Sequence, residues 1–378
     1  MEYITLKDIA VINMGQSPES KTYNEEKKGI PFYQGKSDFG KINPIPRVWC
    51  SNPIKIAEKD DILISVRAPI GDTNIATEKC CIGRGLASIR PLNENINKKY
   101  LYYLLNSKYK ELNKFGTGST FKAITKENLC NLKCAGIPDI KEQIEVVKKM
   151  DNVSQIIEIK KKQLEELSII IKSQFVEMFK NKKYEKRRIG DFGKFQGGFA
   201  FKSQDFVDSG IKLVQIANVN KDTLDWNEYN QLPEEYINRY KDFSLNVGDV
   251  VMAMTRPIIK SLNEVKIAYV SESDVPCLLN QRVGRFLLDE TKISKNYLTY
   301  CCKTEDFKNY VEKMSGNSLQ PNISSKQVED YMIEIPDMEE QNKFSDIVKQ
   351  IDKQKFEIEN SLKEMQELYE ALMERYFG

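Results

Sequence analysis

Ile137-Pro138-Asp139-Ile140-Lys141-Glu142-Gln143 decides the fold of this 378-residue chain, because it returns as Ile335-Pro336-Asp337-Met338-Glu339-Glu340-Gln341. Each copy opens a long, charged, heptad-patterned segment, 137–180 or 335–378, with no internal proline or glycine after the motif. Repetition over such a length indicates duplication of a whole structural unit. The chain is therefore two copies of one globular domain followed by one helix.

The duplication extends upstream of the motif in a fixed order. Asp60 to Pro69 corresponds to Gly248 to Pro257, and both predict a turn that enters a buried strand. The later matches are Gly83 to Ile89 with Gln281 to Leu287, Lys99 to Leu104 with Asn296 to Cys301, and the Gly/Ser-rich loops 116–120 and 315–318. A chance heptapeptide does not explain this agreement.

The two long segments predict amphipathic helices with a coiled-coil seam. The first seam is Ile144, Val147, Val153, Ile157, Leu164, Leu167, Ile171, Phe175 and Met178; the second is Phe344, Ile347, Ile351, Ile358, Leu362, Met365, Leu368 and Leu372. Pro138 and Pro336 suit a first helical turn, which Asp139 or Asp337 can cap. A helix of this length extends roughly 60 Å and needs a partner to bury its seam. We expect the other helix, running antiparallel, to be that partner.

The globular parts contain short apolar runs broken by Gly, Asn and Pro, with helical patterning only near 98–113 and 295–311. We therefore predict α+β domains with a curved sheet. The predicted domains are 1–136, helix 137–180, 181–334 and helix 335–378, related by a pseudo-two-fold axis. Two such domains held one to two DNA turns apart, about 34 to 68 Å, would suit a split DNA site.

The chain lacks the residues for several reaction classes. It has no histidine, which excludes Ser-His and Cys-His dyads and histidine-based metal sites. No Walker or dinucleotide glycine loop is present, and the eight cysteines lack zinc spacing. A nuclease-like string, Pro138-Asp139 with Glu158-Ile159-Lys160, falls on the predicted helix, where its carboxylates would be solvated. We expect no catalytic residues, no metal and no cofactor.

Charge is unevenly distributed along the chain. Residues 1–136 carry 21 Lys and Arg against 14 Asp and Glu, a net +7, whereas residues 181–334 carry 22 against 22. Residues 335–378 carry 6 against 11, a net −5. Polyanion binding through local patches fits this distribution better than nonspecific coating of DNA. The basic run Lys182 to Arg188 is either a solvated linker or a phosphate clamp.

The arrangement resembles the specificity subunit of type I restriction-modification enzymes. The resemblance rests on the order globe, helix, globe, helix, on the Ile-Pro-x-x-x-Glu-Gln helix starts, and on the Gly-Asp-hydrophobic strand, and it covers essentially the whole chain. It implies two target recognition domains, each reading half of a bipartite DNA site, separated by an antiparallel helical spacer. It also implies a noncatalytic role beside two modification subunits that methylate adenine and restriction subunits that translocate and cleave.

Candidate functional residues fall into two sets. The first is expected to face double-stranded DNA, since Arg, Lys and Asn match phosphates and base edges: Lys36, Arg67, Arg84, Asn218, Arg256 and Arg282. The second marks the helix starts: Ile137, Pro138, Glu142, Gln143, Ile335, Pro336, Glu340 and Gln341. We expect the helices, especially the acidic second one, to dock the modification subunits.

Two other classes of protein compete with a DNA-specificity subunit. A single-chain nuclease or methyltransferase would need a catalytic domain, for which the repeats leave no room. A coiled-coil scaffold that binds proteins without DNA recognition is the alternative, and the basic first domain argues against it. Without a signal peptide or an apolar run of membrane-spanning length, we expect a cytoplasmic protein.

Overall fold

The computed structural model describes residues 4–115, 123–134, 136–180, 182–316 and 320–378. The chain divides into two compact units. Unit 1 comprises Met1–Lys162 and Ile358–Gly378, and unit 2 comprises Gln163–Glu357. The first predicted Gly/Ser-rich loop and residues 317 and 318 of the second lie outside the described residues. The predicted domain boundaries at 136, 180 and 334 stay a prediction.

Unit 1 is an α+β domain. Its strands are β1 (Ile4–Thr5), β2 (Ala10–Met14), β3 (Tyr23–Asn24), β4 (Ile30–Tyr33), β5 (Trp49–Cys50), β6 (Ile56–Ala57), β7 (Ile62–Ser65), β8 (Thr73–Ile75), β9 (Cys80–Ile82), β10 (Leu86–Pro91) and β11 (Lys133–Cys134). Its helices are α1 (Leu6–Ile9), α2 (Lys98–Ser107), α3 (Tyr109–Phe115), α4 (Lys126–Cys130) and the beginning of α5 (Ile140–Phe175). The strands form two sheets, ordered β2-β10-β7-β8 and β3-β5-β4-β9-β6, and a β1-β11 pair.

Unit 2 repeats this plan after a π-helical turn, Val176–Lys180. Its strands are β12 (Glu185–Arg188), β13 (Gly193–Gly197), β14 (Ile211–Val214), β15 (Asn230–Leu232), β16 (Val250–Ala253), β17 (Ile258–Ile259), β18 (Glu264–Val265), β19 (Ile267–Tyr269), β20 (Cys277–Leu279), β21 (Val283–Leu288) and β22 (Met332–Ile335). Its helices are α6 (Tyr236–Arg239), α7 (Lys295–Cys301), α8 (Glu305–Ser315), α9 (Ser325–Glu329) and the beginning of α10 (Met338–Phe377). The sheet β13-β21-β16-β19 matches β2-β10-β7-β8, and β12-β22 matches β1-β11.

Strand register corrects one predicted correspondence between the halves. Leu86 lies opposite Ser65, and Val283 lies opposite Ala253. Leu86 therefore corresponds to Val283 and not to Gly284, the match predicted from the sequence. The sequence aligns Arg84 with Arg282, whereas the backbone hydrogen bonds of the sheets set a register that differs from this alignment by one residue. As a result Arg84 corresponds to Gln281, and Arg282 corresponds to Gly85.

Both long helices begin where the repeated motif predicts. The Asp139 side chain accepts hydrogen bonds from the backbone N–H groups of Lys141 and Glu142, at 2.9 and 3.0 Å. Asp337 accepts in the same way from Glu340, at 2.9 Å. A side-chain oxygen at the N-cap satisfies amides that have no partner inside the helix. The two aspartates therefore fix the first turns of α5 and α10.

A buried glutamine follows each cap and joins the long helix to its globe. The Gln143 Oε1 accepts from the backbone N–H of Asn97, the cap of α2, at 2.7 Å, and its Nε2 donates to the carbonyls of Asn95 and Pro138. The Gln341 Oε1 accepts from the N–H of Ser294, the cap of α7, at 2.9 Å. Both glutamine side chains are fully buried. The same amide thus connects helix and globe in both units.

The two long helices run antiparallel within each unit. In unit 1 the beginning of α5, at Val146 and Met150, shares one core with Phe377 at the end of α10. In unit 2 the end of α5, at Ile171, shares a core with Phe344 near the beginning of α10. The predicted fold class, duplicated α+β domains with long antiparallel helices, is therefore confirmed.

The seam differs in detail from the heptad prediction. Ile144 and Leu368 were expected in the seam but are 39% and 41% exposed. Val146 and Met150 are buried in the globe core instead. Near the ends of the helices the globe competes with the partner helix for apolar side chains. The contact pattern therefore departs from a regular heptad there.

The cysteines are free and seven of the eight are buried. Burial raises the pKa of the Cys80 and Cys277 thiols to about 12, so they stay protonated. In the described part of the chain no helix is both long and apolar enough to cross a bilayer.

Replacing Gln143 by Leu should lower the free energy of unfolding of unit 1 by about 1 to 3 kcal/mol, because the partly buried backbone N–H of Asn97 loses its acceptor. Urea unfolding followed by circular dichroism measures this loss. Lys148, exposed on the same helix, provides the control Lys148→Leu, which should change the free energy by less than about 0.5 kcal/mol. Equal effects of the two substitutions would contradict the role given to the glutamine.

Candidate nucleic-acid interface

Four chain segments of unit 1 enclose an open groove of about 620 Å³. They are the loop after β4, the loop after β7, the turn before β10, and the segment that leads into β3. The groove brings together three of the predicted DNA-facing residues, Lys36, Arg67 and Arg84. Ser17, Ser20 and Tyr23, which the sequence analysis did not single out, also line it. They lie on a segment without a periodic pattern or net charge, so no sequence signal pointed to them.

Close backbone packing brings the loops of this groove together. A Cβ atom on Gly85 would lie 2.2 Å from the carbonyl oxygen of Gln34, so only glycine fits there. The Gly85 carbonyl accepts from the N–H of Val66 at 2.9 Å, which fixes the loop that carries Arg67. The Asp38 carboxylate accepts from the N–H of Gln34 at 2.6 Å. The arginines therefore project from a rigid base.

The groove carries uncompensated positive charge. Arg67 and Arg84 are exposed, and neither guanidinium has an acidic partner among the described residues. Lys36 forms an ion pair with Asp72. Exposed, unpaired guanidinium groups on a rigid surface are suited to phosphates and to guanine edges. The groove can therefore bind a polyanion.

Tyr23 adds an aromatic wall to the groove. Its ring lies 4.7 Å from the ring of Phe32, and its hydroxyl donates to the carbonyl of Pro18 at 2.8 Å. Burial raises the pKa of Tyr23, so the phenol stays neutral and adds no negative charge. Tyr23 is therefore compatible with an anionic ligand beside Arg84.

Unit 2 places two arginines on the corresponding loops, each shifted by one residue. Arg256 follows Thr255, the counterpart of Arg67, and Arg282 follows Gln281, the counterpart of Arg84. Both arginines are exposed, and no acidic partner is found for them in the described ranges. Arg256 adopts a left-handed backbone conformation, with φ of 49°. Both units therefore present a pair of arginines on the same two loops.

Other arginines of these sheets are structural, which separates them from the exposed pairs. Arg285 is buried and donates to the Asp249 carboxylate at 3.1 Å and to the carbonyl of Ser244 at 2.7 Å. Arg90 binds Asp61 through two hydrogen bonds of 2.6 and 2.8 Å. The carboxylates of Asp249 and Asp61 neutralise their charge. Arg67, Arg84, Arg256 and Arg282 therefore differ from these two arginines in having no acidic partner among the described residues.

Asn218 does not fit the role predicted for it. It is 1% exposed, and its Nδ2 donates to the carbonyls of Asp225 and Glu228, both at 2.9 Å. Its Oδ1 accepts from the N–H of Gln215 at 2.9 Å. All its hydrogen-bonding capacity closes a turn, which the sequence does not reveal. Asn218 is therefore excluded from the proposed DNA-facing set.

The helix-start residues lie away from the groove and hold the fold. The carbonyls of Pro138 and Pro336 accept from the buried glutamines, while Ile137 and Ile335 pack against the cores of their units. Glu340 forms an ion pair with Lys182 and accepts from the Tyr184 hydroxyl. The side chain of its counterpart, Glu142, lines a surface pocket with Arg375.

The basic run Lys182 to Arg188 has acidic partners in the structure. In the basic run, Lys182 pairs with Glu340, Lys186 with Glu334, and Arg188 with Asp191. These ion pairs favour a linker over a phosphate clamp.

The carboxylates of the nuclease-like string likewise have structural roles. Asp139 caps α5, as described above, and Glu158 pairs with Lys41 and Lys161. Within the residues that the structure describes, no group of three or more Cys, Asp or Glu side chains is arranged to hold a metal ion.

Comparison with known proteins identifies related sequences and one related fold. The family described as "Type I restriction modification DNA specificity domain" matches twice, over residues 1–168 and 181–368. A putative type I restriction enzyme MjaX specificity subunit of Methanocaldococcus jannaschii is 44% identical over 156 residues, covering 41% of this chain and 36% of that relative. The MjaVIII specificity subunit of the same organism is 28% identical over 345 residues, covering 85% of this chain and 80% of the relative.

A solved structure shares the fold over the full length. The S subunit of a type I restriction-modification system from M. genitalium is 16% identical, covers 100% of this chain and 96% of that chain, and superposes with a TM-score of 0.59. At this identity the likeness concerns the fold. The chain spans only about a third of the MjaX relative, which has the higher identity of the two relatives described.

Replacing Arg67 and Arg84 by Glu should weaken binding of duplex DNA at least tenfold and leave the thermal unfolding temperature unchanged, because both side chains are exposed and unpaired. Fluorescence anisotropy with a labelled duplex measures the affinity. The control Lys7→Glu/Lys133→Glu makes the same change in net charge on exposed lysines beside or within β1 and β11. Equal losses in the two variants would mean that net charge, and not the groove, controls binding.

Proposed function

Because the chain belongs to the type I restriction-modification DNA specificity family, we propose that it is the noncatalytic subunit that selects the DNA sequence of such a complex. Each unit reads one half of a bipartite target in double-stranded DNA. The family matches nearly the whole chain, once over each half. Family membership fits the duplication, because two half-sites need two readers.

The observation that carries the proposal is the pair of exposed arginines on equivalent loops of both units. Arg67 and Arg84 lie in the unit 1 groove, and Arg256 and Arg282 occupy the same two loops of unit 2. Arginine binds DNA phosphates and also recognises guanine, through two hydrogen bonds in the major groove. The one-residue shift between the pairs means that the two units present different surfaces. They would accordingly read different half-sites.

The helices would set the distance between the half-sites. α5 and α10 contain 36 and 40 residues, which corresponds to about 54 and 60 Å at 1.5 Å per residue. This lies between one and two turns of DNA, about 34 to 68 Å. The length of the helices would thus set how many base pairs separate the two half-sites.

The proposed partners are two modification subunits and, in a restricting system, further subunits that translocate and cleave DNA. Methyl transfer to adenine would belong to the modification subunits, so this chain needs no cofactor of its own. The alternative is a coiled-coil scaffold without DNA recognition. The unpaired arginines and the family match favour the DNA-reading role.

Expression of the chain together with its modification subunit should add one bipartite methylated-adenine motif to the host genome. Long-read sequencing of genomic DNA, with and without the chain, detects the motif. The variant Arg67→Glu/Arg84→Glu should reduce methylation at that motif while the complex still assembles. A complex that assembles with the natural chain but methylates no new motif would contradict the proposal and favour the scaffold.

The outward face of α10 is the proposed docking surface for a modification subunit. Glu364 and Glu367 are exposed on this face, and they lack ion-pair partners in the part of the chain that the structure describes. Glu364→Lys/Glu367→Lys should reduce co-purification of the modification subunit at least fivefold, because complementary charges would become repulsive. Glu234→Lys/Glu235→Lys, two exposed acids of unit 2, serve as the control. Loss of assembly in the control alone would contradict this location.

A further inference from the structure

Unit 2 contains a half-buried lysine, Lys266, next to one of the exposed arginines. The Lys266 N–H donates to the carbonyl of Pro257, the residue after Arg256, at 2.7 Å. No hydrogen-bond acceptor or acid contacts the Lys266 ammonium among the described residues. Burial lowers the pKa of Lys266, and the charge of Arg256 lowers it further. Two like charges therefore lie close together without a counter-ion.

The same place in unit 1 is occupied by an acid. The N–H of Ala253 donates to the Lys266 carbonyl at 3.0 Å, and the N–H of Ser65 donates to the Asp72 carbonyl at 2.8 Å. Ala253 and Ser65 are equivalent in strand register, so Lys266 stands where unit 1 has Asp72. In unit 1 that carboxylate forms the ion pair with Lys36 that neutralises it.

The lysine that Asp72 neutralises has no counterpart in unit 2. Tyr33 pairs with Ile82, and Val214 pairs with Leu279, in equivalent parallel ladders. The third residue after the strand is Lys36 in unit 1 and Ala217 in unit 2. Unit 1 therefore combines three cations with the Asp72 carboxylate, whereas among the described residues of unit 2 no acid is paired with Arg256, Lys266 or Arg282. Compared with unit 1, unit 2 has its lysine at the position of Asp72 instead of that of Lys36, and it has no acid at that position.

Unit 2 maintains this arrangement against two physical costs. Like charges in a partly desolvated position repel each other, which opposes folding unless an anion binds. Arg256 adopts the left-handed backbone region, which is disfavoured for a residue with a Cβ atom. Strained backbone of this kind clusters at binding sites. Both costs would be offset by an anion between the two side chains.

We propose that Lys266 and Arg256 together hold one phosphate of the DNA backbone in unit 2. This rests on the proposed function and goes further, because it assigns a phosphate contact to one unit that the other unit lacks. A lysine ammonium supplies a compact point charge, and the guanidinium supplies paired donors. The second half-site would therefore be held by one more phosphate contact than the first, although the net charge of residues 181–334 is zero.

The test is the salt dependence of DNA binding by the complete chain assembled with its modification subunit. Each phosphate contact contributes about 0.9 to the slope of log K against log salt concentration. Lys266→Met keeps the apolar stem and removes the charge, and should reduce the slope by at most about 1, because Arg256 remains. Lys266→Arg should restore it. Lys292→Met, four residues beyond the end of β21, removes one exposed charge, which pairs with Asp289, and should leave the slope unchanged.

The outcomes separate this inference from the proposed function. In one outcome, the natural complex binds a mixed-sequence duplex while Lys266→Met and Lys292→Met give the same slope of log K against log salt concentration. That result would overturn the phosphate site alone. A natural complex without salt-dependent duplex binding would overturn both proposals. Circular dichroism of each variant establishes that the unit remains folded. A reduced slope in folded Lys266→Met, restored by Lys266→Arg, is the result expected.

Discussion

The structure depends on one buried amide in each unit. Gln143 and Gln341 accept the N–H of the residue that caps a globe helix, and their own helices begin three residues earlier. A buried amide without partners costs about 1 to 3 kcal/mol, so the helix and the globe must keep one relative orientation. The loops that carry the arginines belong to the same globe. Their direction relative to the helix start is therefore fixed by this contact.

The helix ends are held by a second, aromatic contact. Phe377 packs on Tyr100 and Tyr103 in unit 1, with ring centroids 5.0 and 6.4 Å apart, and Phe179 packs on Tyr297 in unit 2 at 4.9 Å. Each unit thus holds the beginning of one long helix by an amide and the end of the other by a phenylalanine. Aromatic pairs of this kind add stability beyond their buried area. A reader that measures the distance between two half-sites needs such fixed attachments.

Much of this architecture follows from the sequence, because the duplication and the heptads are long-range patterns. The motif at Ile137 and Ile335 predicted both helix starts, and the apolar runs predicted β7 and β16. The exposed arginines were identified by residue type and by their place in the repeat. That both units carry an arginine pair on the same two loops, shifted by one residue, follows only from the strand register. The sequence alone aligns Arg84 directly with Arg282.

Other features could not be obtained from local sequence. Asn218 carries the right chemical group for adenine, yet its amide is consumed by three backbone partners. Tyr23 and Lys266 acquire their surroundings only through tertiary packing. The strand register of the two units shows which of their residues are equivalent, and the sequence alone does not. The exchange of Asp72 for Lys266 became visible in that way.

The most direct test of the two-reader account exchanges one globe and maps the methylated motif. Residues 1–136 would be replaced by the corresponding segment of a relative with a different target, leaving residues 137–378 unchanged. The account predicts a motif in which one half changes while the other half and the spacing remain. A motif that changes in both halves, or in neither while the complex still assembles, would contradict the claim that each unit reads its own half-site.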